Sequence, residues 1–105
     1  MAGEWHEVAT EEDLPPGEDD VIQVEAAGQL LALYRIGDQL YATADRCTHE
    51  EASLSDGYLQ DDTIECPRHQ GVFHIPTGRA IQPPVSEDIQ TYPVRAENGR
   101  IWVHV

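Results

Sequence analysis

Two short segments in the middle of the chain, Cys47-Thr48-His49 and Cys66-Pro67-Arg68-His69, each carry one thiol and one imidazole, and sixteen residues separate them. They hold the only two cysteines of the sequence. Two sulfur and two nitrogen donors make a complete four-ligand set, of the mixture taken by zinc or by an iron–sulfur cluster, so any fold that uses them must bring two loops together. Zinc fingers and ribbons usually space the ligands of one loop by two to four residues around a single tetrahedral ion, and the lone Thr48 is tight for that. A [2Fe–2S] core relaxes the constraint, because the thiolates can take one iron and the imidazoles the other.

The chain on either side reads as β-structure. Val21, Ile22 and Val24, then Leu30, Leu31, Leu33 and Tyr34, form two apolar runs around Ala27-Gly28, and Gly37-Asp38 separates the second run from Leu40-Tyr41-Ala42. This is the pattern of a three-stranded meander. Near the C-terminus, Ile89 to Ala96 and Arg100 to Val105 flank Asn98-Gly99, a strong signal for a tight hairpin since both positions tolerate positive φ. Ile101, Val103 and Val105 alternate with Trp102 and His104, which predicts one apolar face and one aromatic and polar face. Thr10 and Asp13 resemble a capping box opening one helical turn, stopped by Leu14-Pro15-Pro16-Gly17. Residues 45–85 are different: polar, rich in Gly and Pro, and home to both cysteines and three of the five histidines. The expectation is a single all-β domain over residues 1–105, with a body of residues 1–44 and 86–105 and a loop-rich insertion at 45–85.

Charge narrows the partners. Twenty acidic residues face six basic ones, all arginine, for a formal charge of −14. Nucleic acids and anionic membranes are bound by neutralising phosphates with Lys and Arg, and no basic footprint is available, which leaves a positively charged protein surface as the natural partner. No signal peptide is legible, and no run approaches the ~20 apolar residues of a membrane span. The expectation is a cytoplasmic protein whose thiols stay reduced and available to a metal. The acidic pairs and triplets at Glu11-Glu12-Asp13, Glu18-Asp19-Asp20, Glu50-Glu51 and Asp61-Asp62 read as solvated surface, without calcium-loop spacing. There is neither a nucleophile elbow nor a phosphate-binding glycine loop.

With these residues in view, the chain resembles the Rieske ferredoxins, specifically the small soluble ones that serve bacterial ring-hydroxylating dioxygenases. The likeness rests on C-x-H, the sixteen-residue gap and C-x-x-H, followed in order by Gly71, Phe73, Thr77-Gly78 and Pro83-Pro84, and covers nearly the whole chain. It implies an all-β Rieske-like fold of stacked antiparallel sheets with a cluster-binding insertion, and one Rieske-type [2Fe–2S] cluster. Cys47 and Cys66 would bind the inner iron, and His49 and His69 the outer, solvent-facing iron. It implies a one-electron carrier, not an enzyme, that takes electrons from a flavin-containing NAD(P)H-dependent reductase and passes them to a terminal Rieske oxygenase in aromatic compound degradation. A monomer suits such a shuttle. Two other readings stand beside it: the small subunit of an NADH-dependent nitrite reductase, which resembles the same fold, and a zinc-stabilised interaction module.

The resemblance also bears on individual positions. High-potential Rieske proteins carry a Ser hydroxyl and a Tyr hydroxyl where this chain has Gly71 and Phe73, and an extra loop disulfide for which no cysteines remain. The expected potential is therefore about −150 mV, at the low end of a range of roughly −150 to +300 mV. Pro67 and Pro83-Pro84 are expected to stiffen the loops around the cluster. Arg46 and Arg68, beside ligand positions, would leave the redox tip less negative than the body. Arg68, Gln70 and His74 depart from residues common in the family. His74 is expected to be a hydrogen-bonding strand residue rather than a further ligand, and no functional role is expected of His6 or His104.

Overall fold

Leu31, Ala32, Leu33 and Tyr34 are four successive residues with no exposed surface. Side chains alternate between the faces of a strand, so an unbroken apolar run of this kind needs a layer packed on each side of it. The computed structural model, which describes residues 3–48, 52–68, 71–83 and 87–105, supplies both layers.

The strands are β1 (Trp5–Thr10), β2 (Asp20–Ala26), β3 (Gln29–Ile36), β4 (Gln39–Ala44), β5 (Tyr58–Gln60), β6 (Thr63–Glu65), β7 (Val72–His74), β8 (Ala80–Gln82), β9 (Thr91–Tyr92), β10 (Val94–Glu97) and β11 (Arg100–His104), with one 3₁₀ turn at Leu54–Asp56. They form three antiparallel sheets ordered β1-β11-β10, β2-β3-β4-β9 and β5-β6-β7-β8. The sheet containing β3 is the middle layer. Leu31 and Leu33 pack with Ile101 and Val103 of β11 on one side, together with Leu14. Ala32 and Tyr34 pack with Ile64 and Phe73 on the other, together with both cysteines. Each fully buried Leu, Ile or Phe side chain contributes about 1.5–3 kcal/mol, so these two cores dominate the fold's stability.

The meander β2-β3-β4 forms as expected, and β9 adds a fourth strand to it. The Asn98-Gly99 hairpin also forms, with φ of 55° and 77°. Ile101 and Val103 face inward with no exposed surface, as the alternation predicts. Three features differ from expectation. The run from Ile89 to Ala96 is not one strand: Pro93 divides it, so that β9 joins the middle sheet and β10 an outer one. Proline has no N–H to continue a ladder, and the Pro93 carbonyl instead accepts from His104 N–H at 2.9 Å. The Thr10–Asp13 segment is a turn and not a helix. Asp13 Oδ2 accepts from the Thr10 N–H and hydroxyl at 2.9 and 3.2 Å, and the chain then buries Leu14 completely. Finally, residues 45–85 hold a complete four-stranded sheet, β5 to β8, built from strands of three residues each.

Candidate metal centre

Each cysteine opens a loop that its own backbone closes. Cys47, three residues beyond β4, donates its N–H to Ala52 O at 2.9 Å, and Cys66, immediately after β6, donates to Gly71 O at 2.7 Å. Both loops therefore return to their starting point over five residues. The two thiols, not joined by a disulfide, are 4% and 1% exposed and belong to one apolar cluster with Tyr34, Phe73, Ile75 and Ile89. Of the four expected ligands, the structure thus brings the two sulfurs to one cluster. His49, Glu50, Glu51, His69 and Gln70 fall within the closed loops by sequence but outside the described residues, and Pro84 also lies outside the described residues. Among the described residues alone, no three His, Cys, Asp or Glu side chains converge. Two buried soft donors at the bases of two similarly closed loops fit the sulfur half of an S₂N₂ metal group.

The surroundings hold this arrangement in place. Thr48 Oγ1 donates to Glu87 O at 3.0 Å, and Ala44 N–H donates to Gln90 O at 2.9 Å, which lays residues 87–90 against the start of the first loop. Gly78, at φ of 76°, accepts from Ile89 N–H at 2.7 Å; a Cβ there would run into the Ile89 carbonyl. Gly71 is buried and Phe73 has no exposed surface; the ring shares the buried cluster of the thiols and offers them no hydroxyl. Pro67 is half-buried, and Pro83 is exposed.

Asp45 escaped the sequence reading. Only 1% exposed, it accepts at Oδ1 from Ser55 N–H at 2.9 Å and at Oδ2 from Gln23 Nε2 at 2.7 Å. An acid two residues before a cysteine gives no signal in a chain with twenty acids, because its burial depends on β2 and the 3₁₀ turn closing over it. Tyr34 also escaped notice as more than a core aromatic. Thr43 Oγ1 donates to Ala44 O at 2.8 Å, so in the 2.9 Å contact between the two hydroxyls Tyr34 is the donor. Burial pushes the Tyr34 phenol well above its ordinary range, and the negative charge of Asp45 reinforces the shift.

The remaining candidates sort themselves by contact. His74 lies in β7, with Nδ1 2.7 Å from Thr77 Oγ1 and Nε2 2.9 Å from Asp62 Oδ2, which is the strand role expected of it. His104 meets the Trp5 ring edge-on at 5.1 Å, and the Arg95 guanidinium covers the same ring at 4.5 Å. Arg35 is buried, bonded to Leu14 O, and Arg100 pairs with Glu7 at 3.5 Å. Arg46 and Arg68 are exposed beside the cysteine loops. Two of the acids read as surface lie there and also make contacts: Glu11 reaches Arg35 at 3.5 Å, and Asp19 Oδ1 accepts from Gly37 N–H at 2.8 Å.

Known proteins share this architecture. The family model of the Rieske [2Fe-2S] domain matches residues 4–93. The ferredoxin component of the naphthalene 1,2-dioxygenase/salicylate 5-hydroxylase systems of a Ralstonia species is 45% identical over 103 residues, 98% of this chain and 97% of the relative. Among solved structures, a Sphingomonas yanoikuyae B1 ferredoxin superposes with a TM-score of 0.87 at 31% identity, covering 97% of this chain and 99% of that one. A chain from the complex of reduced oxygenase and oxidized ferredoxin in carbazole 1,9a-dioxygenase also gives 0.87, at 40% identity, over 95% and 92% of the two chains.

Proposed function

This chain belongs to the Rieske [2Fe-2S] domain family, and on that premise we propose that it is the one-electron carrier of an aromatic-ring dioxygenase system, delivering electrons to a terminal Rieske oxygenase. The observation that carries this reading is the pair of buried thiols at the bases of two like-closed loops, in a chain 45% identical along 98% of its length to a dioxygenase ferredoxin component. The Rieske-type [2Fe–2S] cluster, when bound, supplies a reversible one-electron couple. Cys47 and Cys66 would hold its inner iron, and His49 and His69 its outer iron.

The chain's own part is to hold, shield and present. Phe73, Ile75 and Ile89 keep water from the thiols, and the segment at 87–90 braces the first loop. Backbone pairing ties exposed Leu30 and Ile81 to the two loops: Leu30 O accepts from Asp45 N–H at 3.1 Å, and Ile81 precedes Gln82, which pairs with Val72 after the second loop. With exposed Arg46 and Arg68 they offer a small mixed surface, which suits brief encounters rather than a permanent complex. We take the electron donor to be a flavin-containing NAD(P)H-dependent reductase, the working protein to be a monomer, and its compartment to be the cytoplasm. Among the described residues no helix is long and apolar enough to cross a membrane.

Stopped-flow spectroscopy with NADH, such a reductase and a Rieske oxygenase tests the proposal. The expected result is a brown protein with a Rieske electron paramagnetic resonance signal on reduction, reoxidised by the oxygenase. A colourless zinc protein, or one that the oxygenase does not reoxidise, overturns it.

A further inference from the structure

Among the described residues, Asp45 is the one acidic side chain that is fully buried, in a chain carrying twenty acids. All of its polar groups are engaged. Its side-chain oxygens take Ser55 N–H and Gln23 Nε2, its N–H donates to Leu30 O at 3.1 Å, and its carbonyl accepts from Leu54 N–H at 2.6 Å. The chain enters the first cysteine loop at Asp45 and leaves it at Leu54 and Ser55, so one residue clasps both ends of the loop and ties them to β2 and β3. A neutral Asn would make the same clasp, and burying a carboxylate is costly. Both oxygens are met by uncharged N–H donors. The charge is also felt in the right place: it helps to raise the Tyr34 phenol, and Tyr34 shares its apolar cluster with both thiols.

We propose that Asp45 is a positioning residue with a redox role: it clasps the first ligand loop, and its fixed negative charge lowers the reduction potential of the bound cluster. The inference rests on the assignment of Cys47 as a ligand. Its physics is simple, since reduction adds one negative charge, and a negative charge held nearby in a weakly polarisable medium opposes that addition.

Two variants of the holoprotein separate charge from clasp. In Asp45→Asn the introduced amide can keep its oxygen on Ser55 N–H and donate to a turned-over Gln23 side chain, so the clasp survives without the charge. Gln23→Ala removes one arm of the clasp and keeps the charge. Voltammetry should show the Asp45→Asn reduced-to-oxidised ratio at a fixed potential raised by roughly tenfold, a shift of about 59 mV for one electron, with unchanged paramagnetic resonance g-values. Gln23→Ala should leave the potential unchanged or lower it. A purely structural role would let water reach the thiols in both variants and move both potentials in the same direction. An unchanged potential in Asp45→Asn, or an equal rise in Gln23→Ala, overturns the proposal. If Asp45→Asn fails to retain iron, the direction seen in Gln23→Ala decides. A wild-type protein without a Rieske signal would instead overturn the ligand assignment itself.

Discussion

Replacing Tyr34 with Phe removes one buried oxygen from the core beneath the thiols, and its effect on stability should reverse sign with pH. Near neutrality the lost group is a hydrogen bond, donated to Thr43 Oγ1 at 2.9 Å. Thr43 keeps its own donation to Ala44 O, so no buried donor is orphaned and the cost should be about 1 kcal/mol. In alkali the balance changes. The unfolded phenol titrates near its ordinary value of 10.0, whereas burial raises the folded value well above that. Between the two the folded chain keeps a proton that the unfolded chain has released, so the wild type is fully stable below pH ~10 and loses stability as pH rises beyond it, by up to about 1.4 kcal/mol per pH unit. At pH 11 this loss is RT ln 11, about 1.4 kcal/mol, which exceeds the cost of the missing bond. The two stability curves should cross near pH ~10.6. Denaturant unfolding of the two proteins in parallel from pH 7 to 11 measures the difference directly, since contributions common to both cancel. Tyrosinate absorbance provides an independent check. Of the four tyrosines, Tyr34 should ionise only on unfolding, so folded wild type and variant should titrate alike up to pH 11. A stability difference that stays constant across that range, or an extra tyrosinate in the folded wild type, would refute the reasoning.

Three further outcomes are expected. Arg68→Glu should slow electron transfer to the oxygenase by roughly tenfold at low salt, with the gap closing as salt rises and without bleaching the protein; unchanged kinetics would remove Arg68 from the docking surface. Voltammetry should place the wild-type potential at about −150 mV, because Gly71 and the buried Phe73 present no hydroxyl to the sulfurs, and a value above about +100 mV would contradict that account. Gly78→Ala should destabilise the fold by at least about 2 kcal/mol in urea unfolding, since it combines a φ of 76° with a clash against the Ile89 carbonyl; a change below about 0.5 kcal/mol would show that the 87–90 segment gives way easily.

The strands that the sequence announces are those long enough to show a pattern. The β2-β3-β4 meander and the β10-β11 hairpin are written in apolar runs of several residues and in turn residues such as Asn98-Gly99, with φ of 55° and 77°. The sheet β5 to β8 is invisible to the same reading because each strand has three residues, too few for periodicity to register. The candidate site divides in the same way. Thiol and imidazole spacing within each loop is a local property, legible from residue order alone, and it points to the proposed ligand types and to the family.

The apposition of Cys47 with Cys66 is decided elsewhere, by β3 burying Ala32 and Tyr34 against Ile64 and Phe73 so that both loops rise from one apolar base. The fate of each charge is likewise a matter of packing. Nothing in residue order separates Asp45 from Asp61, yet one is 1% exposed and the other lies open to solvent, because only the first has a strand and a turn to close over it. Sequence determines which groups are available to this protein; the stacking of three sheets decides which of them share a dielectric, and hence which can act on one electron.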